Sequence, residues 1–420
     1  MKDNNPQTDF FSKKEVKETL LWTEKLVSKT GTRLTGSTGC KKAAKIIHQK
    51  FQDVCSSVEI QDFTHSRDAF LSLVKLMPIS YVIALISIYF GSYWNYLAAS
   101  CMIFVSFSAI CEFMYYREFL DPFYSKTESR NIIGNIASKG KTRQTLIFSA
   151  HYDSPYVFHY LQNIQKYYIP ILVITLFIYI FGLYLSISAM VFQIQSSDLF
   201  IYSSNWIIGM VAGLIFIIPY YFFITNEVSP GAGDNLIAVA ILQRLAKYFS
   251  DPDNTLQNTE LIFLITDAEE SGLRGARAFV NKNREKLLAS PHINYNMDSL
   301  FSVDHLMFLT SDINNTIKLS EDLANQSIQL AKKCGYTAGK MNIPFGGGGT
   351  DAGEFAKAGV KAVSLIAMDT TFKSGFNPYH TRDDHTKNID PKAIQASLEI
   401  ARSFACNLDK NNFMKKIYGN

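Results

Sequence analysis

The chain has 420 residues, of which 47% are apolar and 19% charged, with a formal net charge of +4. It is longer than one average domain and fits one large domain plus additions. The charged share lies below the usual level of about 25%, so part of the chain avoids water. So small a net charge, with no basic stripe interleaved with aromatics, argues against a nucleic-acid-binding protein.

The opening MKDNNPQTDFFSKKEVKE is polar and has no apolar core, so it is not expected to be a cleaved secretory signal. Phe11–Ser28 has helical spacing. The turn GTRLTGSTG leads into a second helix over 43–54, and 58–63 alternates like a strand. Leu76–Cys111 then contains no charged residue and is divided by GSYWN at 91–95. With its flanks, each half reaches about 20 residues, the length of a membrane-spanning helix. Lys75 sits at the edge, where its stem can snorkel. Strand-like NIIGNI (131–136) and TLIFSA (145–150) follow. A second apolar block, Tyr167–Asn226, has Asp198 as its only charge and reads as helices near Tyr168–Phe192 and Trp206–Thr225. Beyond it come a helix over Leu236–Phe249, a buried strand over 260–266, a long helix over Asn315–Lys333, a strand over 360–368 and a closing helix over Lys392–Leu408. There is no internal repeat and no low-complexity tract. The six cysteines are scattered without CxxC pairing and read as reduced thiols, not as a disulfide framework.

Strands alternating with helices predict an α/β fold with helices on both faces of a sheet. The polar regions, residues 1–66, 117–160 and 227–420, form one discontinuous domain. Residues 67–116 and 161–226 are two inserted transmembrane helical hairpins, four spans in all. Each hairpin returns the chain to the face it left, so the three polar regions share one side of the bilayer. Arg67, Arg117, Lys126 and Lys166 flank that side, whereas the hairpin tips carry no Lys or Arg. The positive-inside rule therefore makes the shared side cytoplasmic.

The chemistry lies in carboxylates and histidines set just beyond apolar strands, where sites form in open α/β sheets. TLIFSA runs into His151-Tyr-Asp153, ELIFLITDA into Glu269-Glu270, and NYNM into Asp298. GAGDN presents Asp234 and NPYHT presents His380. Oxygen ligands mixed with imidazole suit zinc and related divalent ions. A pair of such ions needs a bridging carboxylate. Asp234, Glu270, Asp298, His151 and His380 supply a ligand set, leaving Glu269 to accept the proton of an attacking water. Taken singly, each element has an ordinary structural explanation: HxD is commonly a structural hydrogen bond, and paired glutamates commonly a solvated turn.

In order, SAHYDSP, GAGDN, DAEESGLRGARAF, NMDS, FGGGGTDAGEFAKAGVKAVSL and NPYHTRDD, with GTRLTGSTGCKKAAKIIHQKF upstream, resemble the co-catalytic zinc aminopeptidase family. That family includes leucyl aminopeptidases and glutamate carboxypeptidase, with glutaminyl cyclases as relatives. The resemblance implies a three-layer α/β/α zinc-exopeptidase sandwich around a mixed sheet. It also implies two Zn2+ ions, replaceable by Co2+ or Mn2+, and hydrolysis of N-terminal residues from peptide substrates. By position, Asp234 matches the bridging aspartate. Glu270 and His380 match the remaining ligands of one zinc, and His151 and Asp298 those of the other. Glu269 matches the general base, Asp153 the aspartate behind the histidine, and Tyr379 a residue that stabilises the oxyanion in some members. The chain departs from the family between His151 and Asp234, where the second hairpin is inserted. That departure implies a site near the lipid bilayer.

Several other residues have plainer readings. Gly346–Gly349 lacks a following GK[ST] and reads as a flexible substrate-side loop, and Asp351, directly after it, braces either that loop or the site. Ser154 beside His151 does not make a triad. His65, His159, His292, His305 and His385 read as surface or structural residues. Competing readings are a glutaminyl cyclase-like aminoacyltransferase, a carboxypeptidase for acidic residues, and a non-catalytic membrane scaffold that would have lost ligands. The oligomeric state is not legible in the sequence.

Overall fold

The computed structural model describes residues 10–192, 204–373 and 376–410. The tip of the second apolar block, with Asp198, lies outside these residues. The Ser12 hydroxyl accepts from the Glu15 amide at 3.3 Å while the Glu15 carboxylate accepts from the Ser12 amide at 2.9 Å. This reciprocal cap opens α1 (Lys13–Thr30), which ends at Gly31 with φ 65°. Ser37 caps α2 (Thr38–Gln52) through the Cys40 amide, so the helix starts earlier than the expected residue 43.

The chain continues through β1 (Ser57–His65), α3 (Ala69–Phe90), α4 (Trp94–Ala109), β2 (Thr127–Ile136), β3 (Gln144–His151), β4 (Tyr156–Phe158), α5 (His159–Asn163), α6 (Tyr168–Val191) and α7 (Ser204–Tyr221). Then come β5 (Ile224–Val228), α8 (Ile237–Ser250), β6 (Thr259–Thr266), α9 (Arg274–Ala289), β7 (His292–Leu300) and β8 (Leu306–Asp312). The last elements are β9 (Ile317–Lys318), α10 (Glu321–Lys333), β10 (Gly339–Asn342), α11 (Asp351–Lys357), β11 (Lys361–Ala367) and α12 (Pro391–Lys410).

These strands build a mixed sheet in the order β1-β2-β6-β3-β7-β11-β8-β10, with β9 on β8. Helices α1, α2, α8, α10 and α12 pack on one face, and α9 and α11 on the other. The expected three-layer α/β/α sandwich is therefore present. Its central strands β6, β3, β7 and β11 run parallel, and their registers align His151 with Thr266 and Asp298 with Ile366. Their carboxyl ends thus open at one rim, which is where ligands bind in such sheets.

Two expected helices end elsewhere. The helix expected to run to Thr225 stops at Tyr221, after Pro219 in its last turn. Thr225 lies in β5, where its hydroxyl donates to the Val157 carbonyl at 3.0 Å. The helix expected from Asn315 begins at Glu321, because the Ser320 hydroxyl accepts from the Leu323 amide and fixes the start there. Asn314 and Asn315 sit at positive φ and turn the chain into β9. Strands β4, β8 and β10 and helices α9 and α11 were not foreseen. They are short or amphipathic in ways that a single apolar run does not reveal.

Helices α3, α4, α6 and α7 pack into a separate apolar bundle. Ala69–Phe90, Trp94–Met114 and Gln165–Val191 are long and apolar enough to cross a membrane, and Ile207–Tyr221 is a shorter apolar helix. The outer surface of the bundle exposes Ile86, Phe104, Phe107, Phe177 and Ile215, the reverse of a water-facing surface. Inside it, Tyr81 of α3 is keyed against two glycines. A Cβ on Gly182 would stand 2.4 Å from the Tyr81 ring, and one on Gly213 2.6 Å from its hydroxyl. That hydroxyl donates to the Met210 carbonyl at 3.2 Å. Small residues that admit a bulky neighbour let apolar helices approach closely. Gly182→Val should therefore overpack the bundle at a cost of about 1–3 kcal/mol. The expected result is a lower thermal unfolding midpoint in detergent, partly restored by adding Tyr81→Ala.

Candidate metal centre

The rim of the parallel strands gathers the predicted residues one by one. His151 ends β3 and Asp298 lies near the end of β7. Glu269 and Glu270 occupy the loop between β6 and α9. Asp234 lies in the kinked turn that leads into α8, and its peptide bond to Asn235 is cis. His380 sits in the loop before α12 with φ 53°. Ala268, Leu273 and Ser299, which flank these residues, also have positive φ. Such backbone is sparsely populated and persists only where its surroundings over-determine it.

The second apolar insertion separates His151 from Asp234 in sequence, and two devices bring them together. First, β4 and β5 pair antiparallel, Tyr156 with Val228 and Phe158 with Ile224, zipping the outgoing and returning chain at the root of the insertion. The Ser229 amide extends this contact by donating to the Pro155 carbonyl at 2.9 Å. Second, the buried Arg33 guanidinium donates to the carbonyls of Tyr152 (2.8 Å), Pro230 (2.9 Å) and Gly231 (2.7 Å). A rigid fork of donors suits this bridging of two loops.

The resulting cluster has two halves that share Asp234. His151, Asp234 and Asp298 form one group of converging ligand atoms, and Asp234, Glu270 and His380 the other. Asp234 Oδ1 lies 3.2 Å from His151 Nε2, and its Oδ2 lies 3.3 Å from His380 Nε2. Asp298 Oδ1 is 3.6 Å from His151 Nε2, and Glu270 Oε2 is 3.5 Å from His380 Nε2. Both His151 ring nitrogens and Asp234 Oδ2 are buried without a hydrogen-bond partner among the described residues. Lone pairs converging from imidazole and carboxylate, unpaired with one another, are the donor set of a divalent ion such as zinc. These residues therefore fit a zinc site.

The surrounding side chains hold this set in place. Asp153 Oδ1 lies 3.4 Å from His151 Nδ1 and also accepts from the Glu269 amide, while its Oδ2 accepts from the Glu270 amide, both at 3.2 Å. One buried carboxylate thus orients the histidine ring and both glutamates. Asp384, which the sequence reading missed, accepts from the amides of Gly233 (2.6 Å) and Asp234 (3.1 Å). Its place in NPYHTRDD, next to Asp383, gave no way to tell which aspartate turns inward. Arg33 was missed too, although its setting between two glycine turns is an unusual one for a buried cation. Asp351 accepts from the Thr266 hydroxyl at 2.5 Å, beneath the cluster. Ser154 is spent on the Arg33 amide, which donates to its hydroxyl at 3.2 Å. Tyr379 lies with its ring 4.1 Å from that of His380.

Electrostatics point the same way. Burial drives the carboxyl groups of Glu269, Glu270 and Asp298 above the usual carboxylate range, and repulsion among neighbouring carboxylates adds to it. Burial and the charge of Asp234 push Asp384 up to about 8, against the two amides it accepts from. For Asp234 burial works against ionisation, but His151 and His380 hold its carboxyl below the usual range. Negative charge so concentrated away from water calls for cations. Burial and the nearby carboxylates raise the Tyr379 hydroxyl well above its ordinary value, so it remains a donor.

Glu269 Oε2 lies 3.8 Å from His151 Nε2 and belongs to a third group with His151 and Glu270. Of the remaining histidines, His65 and His292 are buried, His159 and His385 are exposed, and His305 is half-buried. The glycine run 346–349, expected to be flexible, is tied by the Gly348 amide to Asn314 Oδ1 at 3.0 Å. All six cysteines are free.

The family model for Peptidase family M28 matches residues 220–405. Over 172 residues the chain is 24% identical to aminopeptidase YwaD of Bacillus subtilis, a match that spans 41% of this chain and 36% of that protein's length. A Zn-dependent exopeptidase from Parabacteroides distasonis has a similar fold, with TM-score 0.54 and 14% identity, covering 93% of this chain and 98% of that one. A zinc aminopeptidase from Bacillus subtilis gives 0.54 and 15%, covering 97% and 96%. A glutaminyl cyclase from an Acidobacteriales bacterium gives 0.55 and 16%, covering 94% and 95%. Residues 220–405 are thus similar to peptidase family M28, and the chain as a whole shares its fold with solved structures that include a Zn-dependent exopeptidase, a zinc aminopeptidase and a glutaminyl cyclase.

Proposed function

We propose that this chain is a membrane-embedded zinc metallopeptidase, an aminopeptidase that removes N-terminal residues from peptides at a membrane surface. The observation that carries the reading is the sharing of Asp234. Its two carboxylate oxygens face two different histidines, and each histidine has a second carboxylate beside it. On this reading Asp234, His151 and Asp298 would hold one ion, and Asp234, Glu270 and His380 would hold a second. Such ions would supply Lewis acidity toward the peptide carbonyl and would lower the pKa of water toward neutrality.

The chain's own residues then divide the work. Glu269, on the same loop as Glu270 but outside the two shared halves, takes the proton of the attacking water and delivers it to the leaving amine. Asp153 holds both glutamates by their amides and keeps the His151 ring oriented. Tyr379, protonated and against His380, donates to the oxyanion of the tetrahedral intermediate.

Four spans, from the hairpins 67–116 and 161–226, fit the three long apolar helices and the shorter fourth. The discontinuous domain 1–66, 117–160 and 227–420 then lies on one face, and the basic flanks favour the cytoplasm. Gln165, at the entry to α6, exchanges hydrogen bonds with Asn377, three residues before His380. The site therefore sits at the root of the hairpin, which favours peptides that emerge from or lie on the bilayer. A glutaminyl cyclase is the second reading, because such enzymes share this fold at a comparable TM-score. The intact pairing of Glu270 and His380 with Asp234 favours the two-metal hydrolase.

The deciding assay is a panel of fluorogenic aminoacyl substrates in lipid, with and without chelator, alongside cyclisation of N-terminal glutamine. Hydrolysis that chelator abolishes and zinc restores is expected, and cyclisation without hydrolysis would replace this reading with the other. Glu269→Gln should lower kcat by roughly 10²–10⁴ while metal analysis still finds two zincs per chain; near-normal turnover would remove Glu269 from its role. Because zinc binds the folded state, chelation should also lower the thermal unfolding midpoint.

A further inference from the structure

The α3–α4 hairpin meets the peptidase sandwich through contacts that the proposed mechanism does not use. Its exit is a π-helical turn, Ile110–Met114, which carries Glu112 as a fully buried carboxylate. Glu112 Oε2 accepts from Arg274 Nη2 at 3.0 Å, and its Oε1 accepts from the Leu120 amide at 2.6 Å. Asp121 Oδ1 accepts from the same Arg274 nitrogen at 2.7 Å, and its Oδ2 accepts from the amide of Ser66, at the entry to the hairpin. Arg274 therefore gathers both ends of the hairpin root. It is also the first residue of α9, directly after the loop that holds Glu269 and Glu270. Its amide donates to the Ala268 carbonyl at 3.0 Å, while the Gly272 and Leu273 amides donate to the Glu269 carbonyl. Phe70 of α3 lies over this loop, where a Cβ on Gly272 would stand 3.0 Å from its ring.

A second joint lies beside the first. Carbonyls at a helix end lack intrahelical partners. Here the side chains of Asn314, Thr316 and Lys357 donate to the carbonyls of Phe113 (2.5 Å), Met114 (3.4 Å) and Tyr115 (2.8 Å). Asn314 is bifunctional. Its side-chain Oδ1 also accepts from the Gly348 amide, and its backbone N–H donates to the Gly348 carbonyl at 2.7 Å. One side chain thus links the hairpin exit to the glycine loop. Tyr116, at φ 51°, packs on Phe70 with ring centroids 4.8 Å apart and closes the gap between the two joints.

We propose that Arg274 and Asn314 are positioning residues through which the seating of the α3–α4 hairpin sets the geometry of the site, Arg274 by fixing the Glu269–Glu270 loop and Asn314 by fixing the glycine loop. The inference rests on the reading of Glu269 as the base. Neither residue belongs to the ligand cluster, so each acts through backbone. The loop needs such a hold because Ala268 and Leu273 both lie at positive φ. A buried guanidinium meeting buried carboxylates locks that conformation firmly, since removing one partner strands the other's charge.

The test uses the full chain in lipid nanodiscs, with Arg274→Met, Arg274→Lys, Glu112→Gln, Asn314→Ala and the double variant Glu112→Gln/Arg274→Met. Hydrogen exchange of the amides of 268–273 and 346–350 is read alongside kcat, KM and zinc content. Arg274→Met and Glu112→Gln are expected to speed exchange at 268–273 at least tenfold while leaving β3 and β6 protected. They should lower kcat at least tenfold, with KM within twofold and zinc retained. Arg274→Lys should recover part of kcat, and the double variant should be no worse than Arg274→Met, as coupled residues require. Asn314→Ala should speed exchange at 346–350 and raise KM. Unchanged exchange and kinetics in folded variants would overturn the proposal. So would uniform loss of zinc and of protection throughout the sandwich, which is the signature of a merely structural role. If Arg274→Met does not fold, Glu112→Gln and Asn314→Ala decide by the same criteria. A wild-type chain that hydrolyses nothing would count against the peptidase reading alone, because exchange still reports whether the joints hold the loops.

Discussion

The site depends on one act of bridging: the Arg33 guanidinium joins the loop after β3 to the loop before α8 by donating to the carbonyls of Tyr152, Pro230 and Gly231. With the β4–β5 pairing, it returns the chain to within 3.2 Å of where it left, measured from His151 Nε2 to Asp234 Oδ1. A long insertion is tolerable there because loop-closure entropy grows only slowly with length once the ends are fixed. Burial holds the Arg33 pKa down, to about 10, against the pull of the nearby carboxylates, yet the group stays cationic near neutrality. It therefore also supplies positive charge beneath a strongly negative cluster.

That negative cluster is costly on its own. Glu269, Glu270 and Asp298 are each pushed toward the protonated form, chiefly by burial. A fold that keeps such groups close, oriented by Asp153 and Asp384 through backbone amides, trades stability for a site ready to take cations. The same economy explains the strained backbone at Ala268, Leu273, Ser299 and His380, which lies along the rim where the ligands converge.

The apolar bundle and the sandwich are joined at places that matter to the site. Gln165 and Asn377 link α6 to the loop bearing His380, and Tyr168 of α6 packs on Phe372. Arg274 and Asn314 do the same for α3–α4. Within the bundle, Tyr81 keys into Gly182 and Gly213, so α3 packs against both α6 and α7. The apolar helices and the sandwich thus share their rigid joints with the residues proposed for catalysis.

Much of this was legible in the sequence because it rests on local chemistry. Apolar runs marked β3, β6 and β11, uncharged runs marked the apolar helices, and His151, Glu269, Glu270 and Asp298 stood out by their places after strands, while the family resemblance did most to single out the set that also includes Asp234 and His380. Local chemistry did not reveal where helices stop: Thr225 was drawn into a strand by pairing with β4, and α10 waited for its Ser320 cap. Nor could it show partners chosen across distance. Whether Asp383 or Asp384 turns inward, which carbonyls Arg33 reaches, and that Glu112 finds Arg274 are decided by burial, because a charge removed from water must find its counterpart wherever the fold brings one. The sequence by itself determined which residues have the chemistry to hold metal and which helices are long and apolar enough to cross a membrane. The tertiary structure alone decided how the two histidines and their carboxylates gather around Asp234 and what holds their loops, since those depend on angles and distances between segments that no local pattern encodes.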